Sequence, residues 1–231
     1  MTRNKKSITI TFIMAFLFIF TNIINILEVK ALENKDIKVV SNVEKISDKG
    51  IEYVLNTPKV EGLDNKNFEK KLNKDIEKEV ENIIDEVKDK LKKDKNYGKN
   101  MKLDIPPYKI DVNYESYNLS KNILTVVLNF KIFTGGQYQV EKKKAYNVNI
   151  KECEYIDIDK VLKHSEAINE NIKTQLDKKF YYNKKFKGID KKSKFYFKEK
   201  TLVIYFDQNE LSPASLGILE FNIPVDTNDF L

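Results

Sequence analysis

The chain contains very few of the residue types on which most catalytic and metal sites depend. Its 231 residues include one Cys, one His and no Trp. A nucleophilic triad needs a histidine base, and a zinc site normally needs several His or Cys ligands. The lone Cys153 cannot form an internal disulfide, so the core must be held by packing alone. We therefore expect no metal, no cofactor and no disulfide scaffold.

Arginine is nearly absent as well. The formal net charge is +6, yet Arg3 is the only arginine and every later cation is a lysine. Arginine is the usual residue for bidentate recognition of phosphates and bases. Its absence from the rest of the chain argues against a nucleic-acid partner.

The N-terminus has the layout of an export signal. A short basic segment precedes a nearly continuous apolar stretch, Ser7–Leu27, and small or β-branched residues suit cleavage after Ala31. Residues 1–31 are therefore predicted to be a signal peptide or, if uncleaved, an N-terminal membrane anchor. Because four cations and one anion lie in this segment, residues 32–231 carry about +3. We expect them to be extracellular or at the cell surface, with membrane contact only through an uncleaved N-terminus.

After this segment, the pattern predicts a β-hairpin. Apolar and polar residues alternate over residues 36–48 and 50–57, and Lys49-Gly50 suits the turn between them. Pro58 and the residues after it are expected to be extended.

A long helix is predicted over residues 66–93, capped by Asp64 or Asn67 and ending before Tyr97-Gly98. Its apolar residues recur at spacings of three and four: Phe68, Leu72, Ile76, Val80, Ile83, Ile84, Val87 and Leu91. Such a stripe can bind a partner helix or a membrane, but it more often covers the protein's own sheet.

The second half of the chain repeats this mixture of strands and helix. Strands are predicted over residues 108–119, 123–134, 138–150, 194–197, 201–206 and 217–223. A second helix begins near Ser165, and its apolar residues recur every fourth position: Ile168, Ile172, Leu176 and Phe180. The predicted fold class is α+β, with antiparallel sheets covered by a long amphipathic helix. We expect two α+β subdomains, residues 36–152 and 155–231.

A few residues invite a chemical interpretation, and each also has a structural one. His164 lies beside a helix start and has no second histidine to complete a site. Asp157 and Asp159 can bind a hard cation or cap a helix. Glu210, in an Asn-Glu-Leu-Ser-Pro corner, can join a glycosidase-type carboxylate pair or fix the corner by a hydrogen bond. The lysine-rich segment 178–200 can attract an anionic wall polymer or form a solvated face.

Several short motifs resemble a known pair of extracellular domains. The motifs that resemble the first domain are Pro58–Asp64, Leu72-Asn73 with Ile76, Thr134-Gly135-Gly136, Tyr146-Asn147 and Tyr155–Leu162. The motifs that resemble the second, C-terminal domain are Leu202–Phe206, Glu210, Pro213, Gly217 and Ile223-Pro224. Over roughly residues 36–231 the chain is similar to the ectodomain of RsiV-type anti-sigma factors. Its first part is also similar to PdaC-type peptidoglycan deacetylases.

This resemblance implies a binding role, because RsiV ectodomains bind lysozyme. Only Met1–Lys6 precede the apolar stretch and no deacetylase domain follows, so neither anti-sigma nor deacetylase activity is expected. We expect a non-enzymatic, exported cell-envelope module that binds lysozyme or an anionic wall polymer. The alternative is a wall-glycan hydrolase that uses carboxylates. The residues predicted for recognition lie in two loops: Thr134, Gly135, Gly136, Gln137, Tyr138, Glu210, Pro213 and Gly217.

Overall fold

Two β-sheets and two long helices make up most of the protein. The computed structural model describes residues 36–119, 122–178 and 185–230. Its strands are β1 (Lys38–Asp48), β2 (Ile51–Glu61), β3 (Tyr108–Leu119), β4 (Ile123–Phe133), β5 (Val140–Asn149), β6 (Glu154–Tyr155), β7 (Lys194–Lys198), β8 (Thr201–Phe206) and β9 (Leu219–Pro224). Its helices are α1 (Lys66–Met101), α2 (Ile158–Leu162) and α3 (Ser165–Lys178). The predicted α+β class is confirmed, and the division into two subdomains stays a prediction.

The first sheet contains six strands in the order β1-β2-β3-β4-β5-β6. The predicted hairpin turn at Lys49-Gly50 is confirmed, and both residues adopt positive φ angles. One pairing differs from the antiparallel arrangement that we expected: β2 and β3 run parallel, with Ile51 opposite Tyr108. A parallel neighbour needs a crossover connection. Helix α1 provides it, since it returns the chain to the end at which β2 begins.

Helix α1 is capped by neither predicted residue, because its N-cap lies one residue after Asp64 and two before Asn67. The Oδ1 atom of Asn65 accepts hydrogen bonds from the N–H groups of Asn67 and Phe68 at 3.1 and 3.0 Å. The cap is therefore Asn65, because that residue has the extended backbone that an N-cap needs. The predicted stripe is confirmed in seven of its eight positions, and Ile84 is half-buried. The seven buried residues are Phe68, Leu72, Ile76, Val80, Ile83, Val87 and Leu91.

The predicted end of α1 is wrong, because the helix continues through Gly98 to Met101. Gly98 is buried, and a Cβ atom there would lie 2.9 Å from the carbonyl oxygen of Leu103. Lys102 adopts a left-handed conformation, and the N–H group of Leu103 donates to the Gly98 oxygen at 2.8 Å. Gly98 therefore allows the chain to fold back tightly over the last turn instead of ending the helix.

The second sheet has the order β7-β8-β9, and all its pairings are antiparallel. One face packs against α3 through a cluster that includes Ile168, Ile172 and Leu176. These three residues confirm the predicted stripe, whereas Phe180 lies outside the described residues. The other face contributes Tyr196, Val203 and Tyr205 to a smaller cluster with Val127 of the first sheet.

Asn147 of β5 joins the edge of the second sheet to the first. Its side chain is buried, its Nδ2 atom donates to the oxygen of Phe195 at 3.0 Å, and its Oδ1 atom accepts from the N–H group of Phe197 at 3.1 Å. The hydroxyl of Thr125 donates to the same oxygen at 3.0 Å. One amide side chain thus satisfies backbone groups of β7 that would otherwise be buried without partners.

The predicted signal or anchor, residues 1–31, lies outside the described residues. Among the residues that the structure describes, no helix has both the length and the apolar character needed to cross a bilayer.

Candidate functional site

The first predicted recognition loop connects β4 to β5. Residues 135–139 are exposed, and Tyr138 exposes 52% of its surface. Gly135 has a φ of +82°, and a Cβ atom there would lie 2.9 Å from Pro106. A side chain at this position would be strained and would collide with the neighbouring segment. The glycine therefore sets the path of the loop.

The second predicted loop forms the corner between β8 and β9. The carboxylate of Glu210 accepts a hydrogen bond from the N–H group of Asp207 at 2.8 Å, so Glu210 fixes the corner. Pro213 precedes a 3₁₀ turn, Ala214–Leu216, in which Leu216 exposes 52% of its surface. Of the two interpretations given for Glu210, the structure therefore favours the structural one.

Gln208, which the sequence analysis did not select, ties the two loops together. Its Nε2 atom donates to the oxygens of Gln139 and Ala214 at 3.0 and 2.7 Å. Its Oε1 atom accepts from the N–H group of Glu141 at 3.1 Å. One side chain therefore bridges segments about seventy residues apart in the sequence, using most of its hydrogen-bonding capacity. We call residues 134–141 and 207–218 together the recognition edge.

Glu141 makes a second connection across the recognition edge. Its carboxylate accepts from the N–H group of Ile218 at 3.4 Å. Gly217 has a φ of +65°, and a Cβ atom there would collide with this carboxylate. Gly217 is thus required both for its backbone conformation and for the close approach of Glu141. A sequence signal for this contact was absent, because nothing in the local pattern links Glu141 to a glycine in a distant loop.

Neither loop of the recognition edge contains a lysine. In a chain with 41 basic residues, residues 132–141 and 201–231 contain none. Within the described ranges, Glu141 and Glu210 form no ion pair with a cation, whereas Asp207 pairs with Lys194. Three exposed apolar side chains lie in the same segments: Tyr138, Val140 and Leu216. The edge therefore offers negative charge and apolar surface together.

A polar cleft of about 580 Å³ adjoins the edge and shares Glu141 and Ile218 with it. Inside it the side chain of Lys143, only 9% exposed, pairs with Glu220 and lies 5.2 Å from the ring centre of Tyr196. This is the most buried cation among the ion pairs of the described residues. The ion pair with Glu220 and the ring of Tyr196 hold this ammonium group in place inside the cleft.

Glu115 lines the same cleft. Burial disfavours its charged form, but hydrogen bonds from Tyr117 and Asn129, with Lys143 and Lys198 nearby, outweigh burial and lower the pKa. A glycosidase general acid needs a raised pKa instead. Burial and the bond to Glu115 raise the pKa of the Tyr117 hydroxyl, which therefore stays protonated and donates.

The remaining chemical candidates have structural roles. The His164 ring lies 5.0 Å from the ring of Phe230, and Asp157 caps α2 through the N–H group of Asp159 at 2.8 Å. Cys153 is a free thiol whose sulfur lies 3.3 Å from the oxygen of Ile150. Among the described residues, no group of three or more His, Cys, Asp or Glu side chains could hold a metal ion.

Three lysines of the segment 178–200 have identified neighbours in the described part of the chain. Lys191 approaches Asp159 at 3.8 Å, Lys194 pairs with Asp207, and Lys198 lies over the Tyr117 ring at 5.5 Å. Three of its lysines therefore face three different partners. Residues 179–184, which include the aromatics Phe180, Tyr181 and Tyr182, lie outside the described residues.

Two family models match the chain, one in each half. Residues 44–137 match the model described as deacetylase PdaC, and residues 157–226 match a protein family of unknown function, DUF3298. The two matched segments follow one another along the chain, and neither covers half of it. The first predicted loop lies at the end of the first matched segment, and the second predicted loop lies inside the second matched segment. No curated protein matches the chain.

Solved structures show the same fold at low sequence identity. A DUF3298 family member from Bacteroides fragilis is 16% identical, with a TM-score of 0.57, and the match covers 82% of this chain and 90% of that one. A DUF3298 family protein from Pseudomonas aeruginosa is 10% identical, with a TM-score of 0.53, covering 86% of this chain and 97% of that one. These matches support the fold of both segments together. The more specific RsiV-type resemblance stays a prediction.

Proposed function

We propose that the protein is a non-enzymatic, exported binding module of the cell envelope that holds its partner at the recognition edge. The observation that carries this proposal is the bridge made by Gln208 between two loops that the sequence had selected separately. Loops that are fixed to each other lose little conformational entropy on binding. Rigid scaffolds commonly present recognition residues in this way.

The charge of the edge favours a basic protein as the partner. Lysozymes are usually basic, and the RsiV-type resemblance made lysozyme the first candidate. The chain as a whole is positively charged, which opposes such a complex, but the edge itself lacks lysine and carries Glu141 and Glu210. Local complementarity governs the association rate and the orientation of a complex more than net charge does. Exposed Tyr138 and Leu216 supply apolar contacts at the same place.

The hydrolase alternative receives no support from the cleft. Glu115 has a lowered pKa, and Glu210 is used to fix a backbone turn. The N-terminal export layout and the matches to PdaC and DUF3298 models are compatible with either function.

The test is calorimetric titration of the full chain, in a neutral detergent, with an animal-type lysozyme at physiological salt. We expect saturable binding with a dissociation constant in the micromolar range or tighter. The variant Glu141→Gln/Glu210→Gln keeps both hydrogen-bond acceptors and removes two charges, so binding should weaken and lose its salt dependence.

A second variant tests the apolar part of the edge. Tyr138→Ala/Leu216→Ala should weaken binding at least tenfold, because buried aromatic and aliphatic anchors dominate interfaces. The matched control is Val43→Ala/Tyr97→Ala, which removes side chains that are 58% and 60% exposed but lie outside the edge. Equal losses in the two variants, or no binding by the parent chain, would refute lysozyme recognition at this edge.

A further inference from the structure

A second charged surface lies at the turn of the β1–β2 hairpin. A groove of about 450 Å³ runs between this turn and the C-terminal half of α1. Five lysines and one aspartate line it: Lys49, Lys88, Lys92, Lys95, Lys99 and Asp48. Its floor is apolar, because Ile51, Tyr53 and Leu91 are each less than 10% exposed. We call this surface the lysine groove.

The lysines of α1 form a row along one wall of the groove. Positions 88, 92, 95 and 99 follow spacings of four, three and four, which place side chains on one face of a helix. The row extends for about 16 Å, at about 1.5 Å per residue. A row of this length matches an extended anion with several charges better than a single phosphate.

Most of these lysines have no carboxylate as an ion-pair partner, although Asp48 also lines the groove. Within the described ranges, Lys49, Lys92 and Lys99 form no ion pair, and Lys95 donates to the carbonyl oxygen of Lys49 at 2.7 Å. Lys88 approaches Asp85 at 3.5 Å. By contrast, the first half of α1, residues 66–83, contains five lysines and five acidic residues.

The helix dipole does not account for this excess. Cations are favoured near the C-terminus of a helix, but the effect is confined to the last turn. In α1 that turn contains one lysine, Lys99. Lys88 and Lys92 lie earlier, and Lys49 belongs to the hairpin on the opposite wall. Their convergence on one groove therefore needs another reason.

We propose that the lysine groove binds a phosphodiester-linked anionic polymer of the poly(glycerol phosphate) type. Successive phosphates would face the lysine row, and the carbon atoms of the repeating unit would lie over the apolar floor. Charge complementarity supports an anion, and the length of the row supports a chain of repeating charges. The inference rests on the exported location proposed above, since such polymers lie outside the membrane.

The test is titration of the full chain, in a neutral detergent, with a purified poly(glycerol phosphate) oligomer at two salt concentrations. The variant Lys92→Gln/Lys95→Gln/Lys99→Gln should bind at least tenfold more weakly and show less salt dependence. The matched control, Lys70→Gln/Lys74→Gln/Lys163→Gln, removes the same charge from exposed sites elsewhere and should bind within twofold of the parent. A second variant, Lys92→Glu/Lys99→Glu, leaves the bond between Lys95 and Lys49 in place and should also lose binding.

Several outcomes would overturn the proposal. No binding by the parent chain, or equal losses in the groove variant and its control, would show that the groove is not a site for this polymer. Binding to vesicles that contain phosphatidylglycerol, with loss in the groove variant but no binding of the oligomer, would assign the groove to a lipid surface instead. The variant Glu141→Gln/Glu210→Gln should retain polymer binding, so failure of the groove is distinguishable from failure of the recognition edge.

Discussion

Replacing Asn147 with leucine removes the side chain that docks the two sheets while keeping a similar volume in the same buried position. The change leaves three groups without their partner: the hydroxyl of Thr125, the carbonyl oxygen of Phe195 and the N–H group of Phe197. Thr125 is fully buried, and water cannot readily replace the lost partner there.

The expected cost follows from this count. Each buried group left without a hydrogen bond costs about 1–3 kcal/mol. Three such groups would destabilise the protein by about 3–9 kcal/mol, which is a large part of the roughly 5–15 kcal/mol that stabilises a typical domain. Asn149 provides a matched control in the same strand. Its Oδ1 atom accepts from the N–H groups of Lys151 and Glu152 at 3.1 Å, but both of those residues are exposed and water can replace the bonds.

Urea unfolding of the parent and the two variants, followed by circular dichroism, measures the effect. Asn147→Leu should lower the free energy of unfolding by several kcal/mol, and Asn149→Leu by about 1 kcal/mol. The double variant Thr125→Val/Asn147→Leu removes one orphaned hydroxyl and should recover part of the loss. If Asn147→Leu costs less than Asn149→Leu, the bridge between the sheets does not contribute as the hydrogen bonds imply.

Three further predictions test the helix and the cleft. Gly98→Ala should destabilise the protein by about 1–3 kcal/mol despite the better helix propensity of alanine, since its Cβ meets the Leu103 carbonyl; a stabilised variant in thermal unfolding would contradict this. Asn65→Ala should cost about 1 kcal/mol in the same assay, and no change would show that the cap is unimportant. The pKa of Glu115 is lower in the folded protein than in the unfolded chain, where it is about 4.3. This difference stabilises the folded protein above about pH 4.3, and the stabilisation is lost as the pH falls through the pKa of the folded state. Glu115→Gln should therefore flatten the loss of stability below about pH 4.3, and an unchanged acid profile in urea titrations would refute the role of this carboxylate.

The hairpin and the two helix stripes were predictable because their signals are local. A period of two residues identifies a strand that is buried on one face, and spacings of three and four identify a helix that is buried on one face. The buried residues of α1, from Phe68 to Leu91, follow directly from such spacing. The corner containing Glu210 was also selected from local sequence, and so was the loop Thr134–Tyr138.

Other features depend on residues that meet only when the chain is folded. The parallel pairing of β2 with β3 depends on where α1 returns the chain, and the helix length depends on the packing of Leu103 over Gly98. Gln208 looks like an ordinary polar residue until it lies between two loops.

The sequence by itself therefore determined where most strands and helices lie and where the chain turns between them, because hydrophobic periodicity and turn chemistry act over a few residues. Only the tertiary structure decided that the two loops form one lysine-free edge and that Lys49 faces the lysines of α1 across a groove. Hydrogen bonds and electrostatic interactions act between neighbours in space, and the sequence does not state which distant residues become neighbours.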